Sequence, residues 1–358
     1  MRRRTRVIHL GRVLIGGDNP ISVQGMTKTH TSDVAATVRE IRDLASHGCD
    51  IVRVAAPRRE DARAIRRIKR DIGEVPLVAD VHFDPGLAVE SLKAGADGVR
   101  INPGNMKDMD AVAEVVRAAA DRDACIRIGV NSGSIRPRKG PAATGRRDEP
   151  EDLAELMARR TLEHLDFFRS LGFDNVKLSL KASDVLTTIR ANQLVAARCD
   201  CPLHLGVTAA GPPSESVVAS SIGIGALLAQ GIGDTIRVSM TGSALTEVLA
   251  AQEILEALEL RKRERPRIIS CPTCGRCEVD LVKVVEEVQR RLPADAPAVN
   301  VAIMGCVVNG PGEAADADVG IAGGKGFAFL FRKGKKVRRL GETEMVDVLI
   351  DEVMKLKT

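Results

Sequence analysis

The chain has 358 residues, 44% of them apolar and 28% charged, so it can bury one large core and a smaller one and lacks the composition of a disordered chain. A net charge of +5 is modest for this length, and seven Phe with no Tyr or Trp leave few rings on which single-stranded nucleic acid could stack. The basic start Met1-Arg2-Arg3-Arg4 runs into His9, Arg12 and glycines rather than an apolar leader core, and the longest uncharged run, Ser216 to Gly233, is broken by serines, Gln230 and glycines. Both features point to a cytoplasmic protein with no membrane span.

Along the chain, short β-branched runs alternate with stretches of helical spacing. The strand candidates are Ile21-Gln24, Ile51-Val54, Leu77-Val81, Gly98-Ile101, Cys125-Val130, Asn175-Leu180, Leu203-Val207 and Thr235-Ser239. Eight such units in about 240 residues predict an α/β fold, a (β/α)8 TIM barrel, in preference to an open sheet. Arg136-Pro150, rich in Pro, Gly and charge, reads as a long loop on the catalytic rim. The charged stretch Arg261-Arg267 ends the pattern, which predicts a barrel over 1-262 and a small α+β domain over 263-358, with a helix at Val279-Leu292, a strand at Val299-Ile303 and a glycine-rich loop.

Four strands carry an arginine between β-branched neighbours: Arg53, Arg100, Arg127 and Arg237. A buried guanidinium is costly unless an anion answers it, so several near the C-terminal ends of adjacent strands should converge on one anionic ligand at the face where barrels keep their active sites. Gln24, Asp80, His82, Asn102, Asn131, Lys177, Ser179, Lys181, His204 and Ser239 stand at the same ends. Such a site suits a small, highly charged molecule such as a diphosphate, whose oxygens match the guanidinium fork. The alternative is that each arginine pairs with an internal carboxylate or points outward between helices.

Of the eight cysteines, Cys49, Cys125, Cys199 and Cys201 are scattered and read as small core or surface residues, while Cys271, Cys274, Cys277 and Cys306 cluster late. Cys271-Pro272-Thr273-Cys274 can place two thiolates on one metal or cluster, with Cys306 as a third. The glycine-rich turn after Cys306 can fold Glu313 back onto the same centre, where a carboxylate is a poor partner for soft iron-sulfur chemistry and is easily displaced. Two other arrangements stay open: an all-thiolate site that includes Cys277, and a zinc knob that only holds the small domain together.

The runs Val23-Gln24, Met26-Thr27, Ala79-Asp80-Val81-His82-Phe83-Asp84, Arg100-Ile101-Asn102-Pro103-Gly104-Asn105, Arg127-Ile128-Gly129-Val130-Asn131, Lys181-Ala182-Ser183-Asp184, Cys271-Pro272-Thr273-Cys274 and Gly305-Cys306-Val307-Val308-Asn309-Gly310-Pro311-Gly312-Glu313 resemble the bacterial two-domain form of the 4-hydroxy-3-methylbut-2-enyl diphosphate synthase family. The resemblance runs from about residue 6 to the end. It implies an iron-sulfur oxidoreductase of the non-mevalonate isoprenoid pathway that converts 2-C-methyl-D-erythritol 2,4-cyclodiphosphate into the allylic diphosphate with a 4Fe-4S cluster. Cys271, Cys274, Cys306 and Glu313 are the cluster ligands it implies, with Cys277 outside the set. It places diphosphate contacts on Arg53, Arg100, Arg127, Asn131, Lys181 and Ser239 and a cluster-side substrate contact on Asn309; Asp80 and His82 join them as binding candidates. Arg127, Ser239, Asn309 and Glu313 are the candidates for chemistry. It also implies ferredoxin or flavodoxin as electron donor and a homodimer whose active site is shared between chains, with no nucleic-acid partner. Two departures stand out. Ala209 occupies the family's glutamate position, which points to an altered activity unless Glu215 or another carboxylate substitutes, and Gly25 replaces a usual serine, which would loosen the rim of the first strand.

Overall fold

The computed structural model describes residues 2–106, 108–135, 152–208, 211–293, 295–307, 312 and 315–357. The expected loop Arg136-Pro150 and Ala209 therefore lie outside the described residues. The chain divides into two compact units, Met1–Arg261 and Lys262–Thr358.

The first unit opens with an antiparallel hairpin, β1 (Ile8–Leu10) and β2 (Val13–Ile15), turned at Gly11, whose φ of 53° suits glycine. The barrel strands follow: β3 (Ser22–Met26), β4 (Ile51–Ala55), β5 (Leu77–Asp80), β6 (Gly98–Ile101), β7 (Cys125–Asn131), β8 (Val176–Lys181), β9 (His204–Leu205) and β10 (Thr235–Ile236). They interleave with α1 (Val34–Ser46), α2 (Arg59–Ile72), α3 (Pro85–Lys93), α4 (Met109–Ala120), the short α5 (Ser132–Ile135), α6 (Leu153–Ser170), α7 (Val185–Ala196), α8 (Pro213–Ala229) and α9 (Ala244–Ala257). All eight strands are parallel, in the order β8-β7-β6-β5-β4-β3-β10-β9. A single bridge, Leu178↔Leu203, with the Leu178 amide donating to the Pro202 carbonyl at 3.0 Å, closes the ring.

Local chemistry starts each crossover helix where the barrel needs it. Asp33, Asp84, Asp108, Asp152, Asp184 and Ser243 each accept a hydrogen bond from the first turn of the helix that follows, a contact that stabilises a helix start by about 1 kcal/mol. The strands are buried on both sides yet still alternate. Val52, Val54, Val99, Ile101, Ile126, Ile128, Val130, Leu178 and Leu180 pack into the apolar layer beneath the helices, and the residues between them, Arg53, Arg100, Arg127, Lys177, Ser179 and Lys181, are polar and buried. Period-two alternation inside a fully buried strand means that the barrel interior is itself polar. Gly25 belongs to the apolar layer. A Cβ there would lie 3.0 Å from Cys49 Sγ and 3.2 Å from Val248 Cγ2, so the glycine makes room for a packed cysteine and the expected loosening of the rim is withdrawn.

The second unit is a five-stranded mixed sheet, β11 (Arg267–Ser270), β12 (Asn300–Met304), β13 (Val319–Gly324), β14 (Phe327–Arg332) and β15 (Lys335–Gly341), in that order, with β11 to β13 parallel and the rest antiparallel. Helices α10 (Leu281–Arg291) and α11 (Met345–Met354) pack on it through Leu281, Val288, Met345 and Leu349. Among the described residues no helix is long and apolar enough to cross a membrane.

Candidate active site

Register brings the strand cations together. Asp80 on β5 aligns with Arg100 on β6, Arg100 with Arg127 on β7, and Arg127 with Lys177 on β8; four residues further along, Asn131 aligns with Lys181. At the C-terminal ends of the strands lies a cavity of about 90 Å³ lined by Arg53, Asp80, His82, Arg100, Arg127, Asn131, Lys181, Thr208, Arg237 and Ser239. Every expected barrel contact, Arg53, Asp80, His82, Arg100, Arg127, Asn131, Lys181 and Ser239, thus borders one pocket. Gln24, Asn102, Lys177, Ser179 and His204 do not line it. Asn102 turns aside, donating to Ser134 Oγ at 2.9 Å and accepting from the Gly104 amide at 3.2 Å. Asn309 and Glu313 lie outside the described residues. Glu215 is exposed in the first turn of α8 and does not border the pocket.

Asp80 is the one carboxylate among the lining residues. Its Oδ1 lies 3.8 Å from Arg53 Nη1 and 3.4 Å from Arg100 Nη1, and its Oδ2 3.3 Å from His82 Nε2. Burial would raise its pKa, but Arg53, the His82 hydrogen bond, Arg100 and Arg127 outweigh burial and hold it well below the usual carboxylate range. Arg100 Nη1 also stands 2.7 Å from His82 Nε2. Without a hydrogen that nitrogen accepts from Arg100, and with one it donates to Asp80; it cannot do both. The expectation that the arginines might find internal carboxylates is therefore met in part: Arg53 and Arg100 share Asp80, and Arg237 Nη2 meets Glu247 Oε2 at 3.0 Å.

Other groups also hold the cations in place. Arg53 rests its Nε and Nη2 on Met26 Sδ at 3.2 and 2.9 Å. Glu247, buried on α9, also takes the Met240 amide at 3.0 Å and Lys28 Nζ at 2.7 Å. Two strand glycines make space: a Cβ on Gly129 would lie 2.5 Å from Arg100 Nε, and one on Gly206 would lie 2.5 Å from Lys181 Nζ. Burial, then mutual repulsion among Arg127, Arg53, Arg100 and Arg237, lowers the pKa of Arg127 and of Lys181, and burial with Arg53 beside it brings Arg237 to about 10. The five cations that line the pocket meet Asp80 on its wall and Glu247 behind Arg237, so positive charge stays in excess, a state that an added polyanion relieves. The strand pattern points to Arg237 as one of four arginines, while the family resemblance assigns it no role; Met26, although in a family-like run, and Thr208 were not read as site residues, and Glu247 lies in a helix, where the strand pattern gives no signal.

Beneath the pocket, Arg127 Nη1 donates to His204 Nε2 at 3.2 Å. Burial and the cations Arg127, Lys181 and Lys177 keep this imidazole neutral, so it is a pure acceptor on that side and orients the guanidinium without adding charge. His204→Leu should raise the apparent substrate constant about tenfold with a smaller change in kcat, and His204→Gln, whose amide oxygen can accept, should recover most of the loss. Equal constants for wild type and the leucine variant would reduce His204 to a space-filler.

Lys177 Nζ meets no hydrogen-bonding partner among the described residues. Burial, aided by Arg127 and Arg53 and opposed by Cys125, lowers its pKa to about 8. Between about pH 8 and the ordinary lysine value the unfolded chain holds a proton that the folded chain has released, so stability rises with pH across that window and the penalty is complete below it. Lys177→Met should therefore stabilise the protein at pH 7 by on the order of 3 kcal/mol, a gain that fades toward pH 10.5. Urea unfolding at pH 7 and pH 10 checks this, and a gain of the same size at both would refute the cause given.

In the second unit, Cys271 follows β11 and Cys306 follows β12, neighbouring parallel strands with Ser270 opposite Ile303. The Gly305 amide donates to Cys271 Sγ at 3.3 Å, as backbone amides do to the sulfurs of iron-sulfur sites. Cys274 is exposed on the intervening loop, and Cys277 donates its thiol to the Val279 carbonyl at 3.1 Å. Gly305 is needed at this corner, because a Cβ would lie 2.4 Å from Cys277 Sγ. Among the described residues no three His, Cys, Asp or Glu side chains stand close enough to hold a single metal ion. A cubane cluster holds its ligands farther apart than one ion does, and three soft thiols on adjacent strand ends and their loop are the donor set it takes.

Comparison with known proteins decides the family. Residues 5–252 match the model of the GcpE TIM-barrel domain and residues 267–355 that of the GcpE protein C-terminal domain. The chain belongs to the GcpE family. Among its GcpE relatives, proteins named 4-hydroxy-3-methylbut-2-en-1-yl diphosphate synthase (flavodoxin) from Geobacter sulfurreducens and Aquifex aeolicus are 48% and 47% identical over 356 and 360 residues, covering 99% of this chain and 99% and 98% of theirs. The dihydropteroate synthase of Thermus thermophilus shares only the fold with this GcpE chain: 16% identity, a TM-score of 0.51, and coverage of 71% of this chain and 99% of that one. The TIM-barrel expectation and the family resemblance are both borne out.

Proposed function

We propose that the chain catalyses the reductive ring opening and dehydroxylation of 2-C-methyl-D-erythritol 2,4-cyclodiphosphate to 4-hydroxy-3-methylbut-2-enyl diphosphate, a step of the non-mevalonate isoprenoid pathway. The observation that carries this reading is the excess of five cations over one carboxylate in a small pocket at the C-terminal ends of the barrel strands, in a chain whose near full-length relatives bear that enzyme's name.

Arg53, Arg100, Arg127, Lys181 and Arg237 bind the diphosphate, and the bidentate forks fix its orientation as well as its charge. Asp80 keeps Arg53 and Arg100 aimed into the pocket, while Asn131 and Ser239 add neutral hydrogen bonds. With Ala209 in place of a glutamate, and with Asp80 held ionised, His82 Nε2 is the group on the pocket wall suited to hold and deliver a proton. Cys271, Cys274 and Cys306, with Glu313, would hold a 4Fe-4S cluster, and Asn309 would face the substrate from that side. The cluster, when bound, supplies two electrons per turnover, received from flavodoxin or ferredoxin.

Anaerobic purification followed by iron and sulfide analysis, then turnover of the cyclodiphosphate with a chemical reductant, tests the reading. About four irons per chain and formation of the allylic diphosphate are expected; zinc without iron, from cells able to build clusters, overturns it. A homodimer with a site shared between chains is part of the same reading. Mixing an inactive pocket variant with an inactive cluster variant should restore up to about a quarter of wild-type activity, because half the dimers then carry one complete site. No recovery after subunit exchange would confine each site to one chain.

A further inference from the structure

The sequence Cys199-Asp200-Cys201 sits between α7 and β9, at the N-terminal end of the barrel strands and away from the substrate pocket. Both cysteines are free, with Cys199 partly exposed and Cys201 buried. One guanidinium clamps the segment: Arg3 Nη1 donates to the Cys199 carbonyl at 2.6 Å and Arg3 Nη2 to the Cys201 carbonyl at 2.5 Å. Carbonyls two residues apart that point the same way belong to an extended segment, so the two side chains share a face. Arg169 Nη2 lies 3.9 Å from Cys201 Sγ and 3.0 Å from Asp200 Oδ1, and Arg6 Nη2 lies 2.8 Å from that same Asp200 oxygen. Arg169 thus stands beside Cys201 Sγ, with Arg3 and Arg6 holding the segment around it, a cationic setting in which a thiolate is stabilised.

We propose that Cys199 and Cys201 form a redox-active dithiol that exchanges with small disulfides. Hydrogen bonding from Cys201, with Arg3 and Arg169 nearby, lowers the Cys199 thiol, and Cys201 is raised in turn. That assigns attack to Cys199 and resolution to Cys201. The Cys199 thiolate attacks one sulfur of a low-molecular-weight disulfide, forming a mixed disulfide and expelling one thiolate. Cys201 then gives up its proton to solvent and attacks Cys199 Sγ, forming the Cys199–Cys201 bond and expelling the second thiolate. Two protein thiols are oxidised, one external disulfide is reduced to two thiols, and no other reactant is needed. Cys49 and Cys125 offer a contrast within the same unit, since burial pushes their thiols up to about 12 and about 11 and leaves them inert. The proposal stands on this cluster alone and does not depend on the reaction assigned to the pocket.

The test uses the reduced, cluster-loaded protein under anaerobic conditions with oxidised glutathione as probe, quenched by a maleimide and mapped by peptide mass spectrometry. The peptide that holds both residues should appear unlabelled and lighter by two hydrogens, with Cys49 and Cys125 untouched. Cys201→Ser should trap glutathione on Cys199, whereas Cys199→Ser should slow reaction at Cys201 at least tenfold. Arg169→Ala should lower the alkylation rate of Cys199 near neutral pH severalfold. Two maleimide-labelled cysteines in the wild-type peptide after a large excess of oxidised glutathione, or a Cys201→Ser variant that takes up no more glutathione at Cys199 than at Cys49, would overturn the assignment. The wild-type mapping stands even if a variant fails to fold.

Discussion

Replacing Arg127 by methionine should raise the apparent substrate constant about a hundredfold or more while making the ligand-free protein more stable. Both effects follow from one arrangement. Arg127 is buried, is braced by His204 at 3.2 Å, stands in register with Arg100, and feels the charges of Arg53 and Arg237. With a diphosphate in place, loss of a desolvated, hydrogen-bonded charge partner costs about 2–5 kcal/mol, or roughly thirty- to several-thousand-fold in affinity. Without it, the guanidinium is a buried charge among like charges, and an apolar side chain of similar volume should add about 1–3 kcal/mol of stability. Arg237→Met serves as the control. Its guanidinium pairs with buried Glu247 at 3.0 Å, so the same change there should weaken binding without the gain in stability. Steady-state kinetics and thermal unfolding measure the two effects separately. A normal substrate constant with lowered stability for Arg127→Met would make that arginine a structural residue.

Cys306→Ala should abolish cluster retention and bring turnover to background, whereas Cys277→Ser should leave both close to wild type. Cys306 is buried immediately beyond β12, next to the strand that delivers Cys271, and a cluster deprived of one of three thiolates keeps too few soft ligands to survive purification. Cys277 is already committed to the Val279 carbonyl, and serine can make the same bond. Iron per chain and the visible absorption of each variant read the outcome directly. If Cys277→Ser lost metal as completely as Cys306→Ala, the site would be an all-thiolate one and the ligand set would have to be redrawn.

Much of this architecture was legible because its signals are periodic. The six strands from β3 to β8 each present a β-branched run, and the arginines inside those runs announced a polar interior. The last two strands are shorter than their sequence suggests. Leu203-Val207 and Thr235-Ser239 look like five-residue strands, but regular pairing covers only His204–Leu205 and Thr235–Ile236. In the second unit, α10 and β12 were read to within two residues, while β11, β13, β14, β15 and α11 escaped. In β13, Gly320, Gly323 and Gly324 look like loop, yet Gly320 is there because a Cβ would lie 2.7 Å from that of Ala302 on the neighbouring strand. The supports of the pocket were hidden for a different reason. Glu247 lies in a helix, where a glutamate is the expected surface residue, and only the fold reveals that it faces inward onto Arg237 and Lys28.

The N-terminal hairpin gives the barrel a sealed floor. Ile8, Leu10 and Ile15 pack against Ile51, Val78 and Cys125 at the starts of their strands, and Arg2 and Thr5 fasten the approach to it by hydrogen bonds to Asp234. Among the described residues, the catalytic chamber is thus a well closed at its base. Whatever enters must leave by the way it came, so incoming substrate and departing product contend for a single doorway, and the allylic diphosphate should inhibit competitively against the cyclic one.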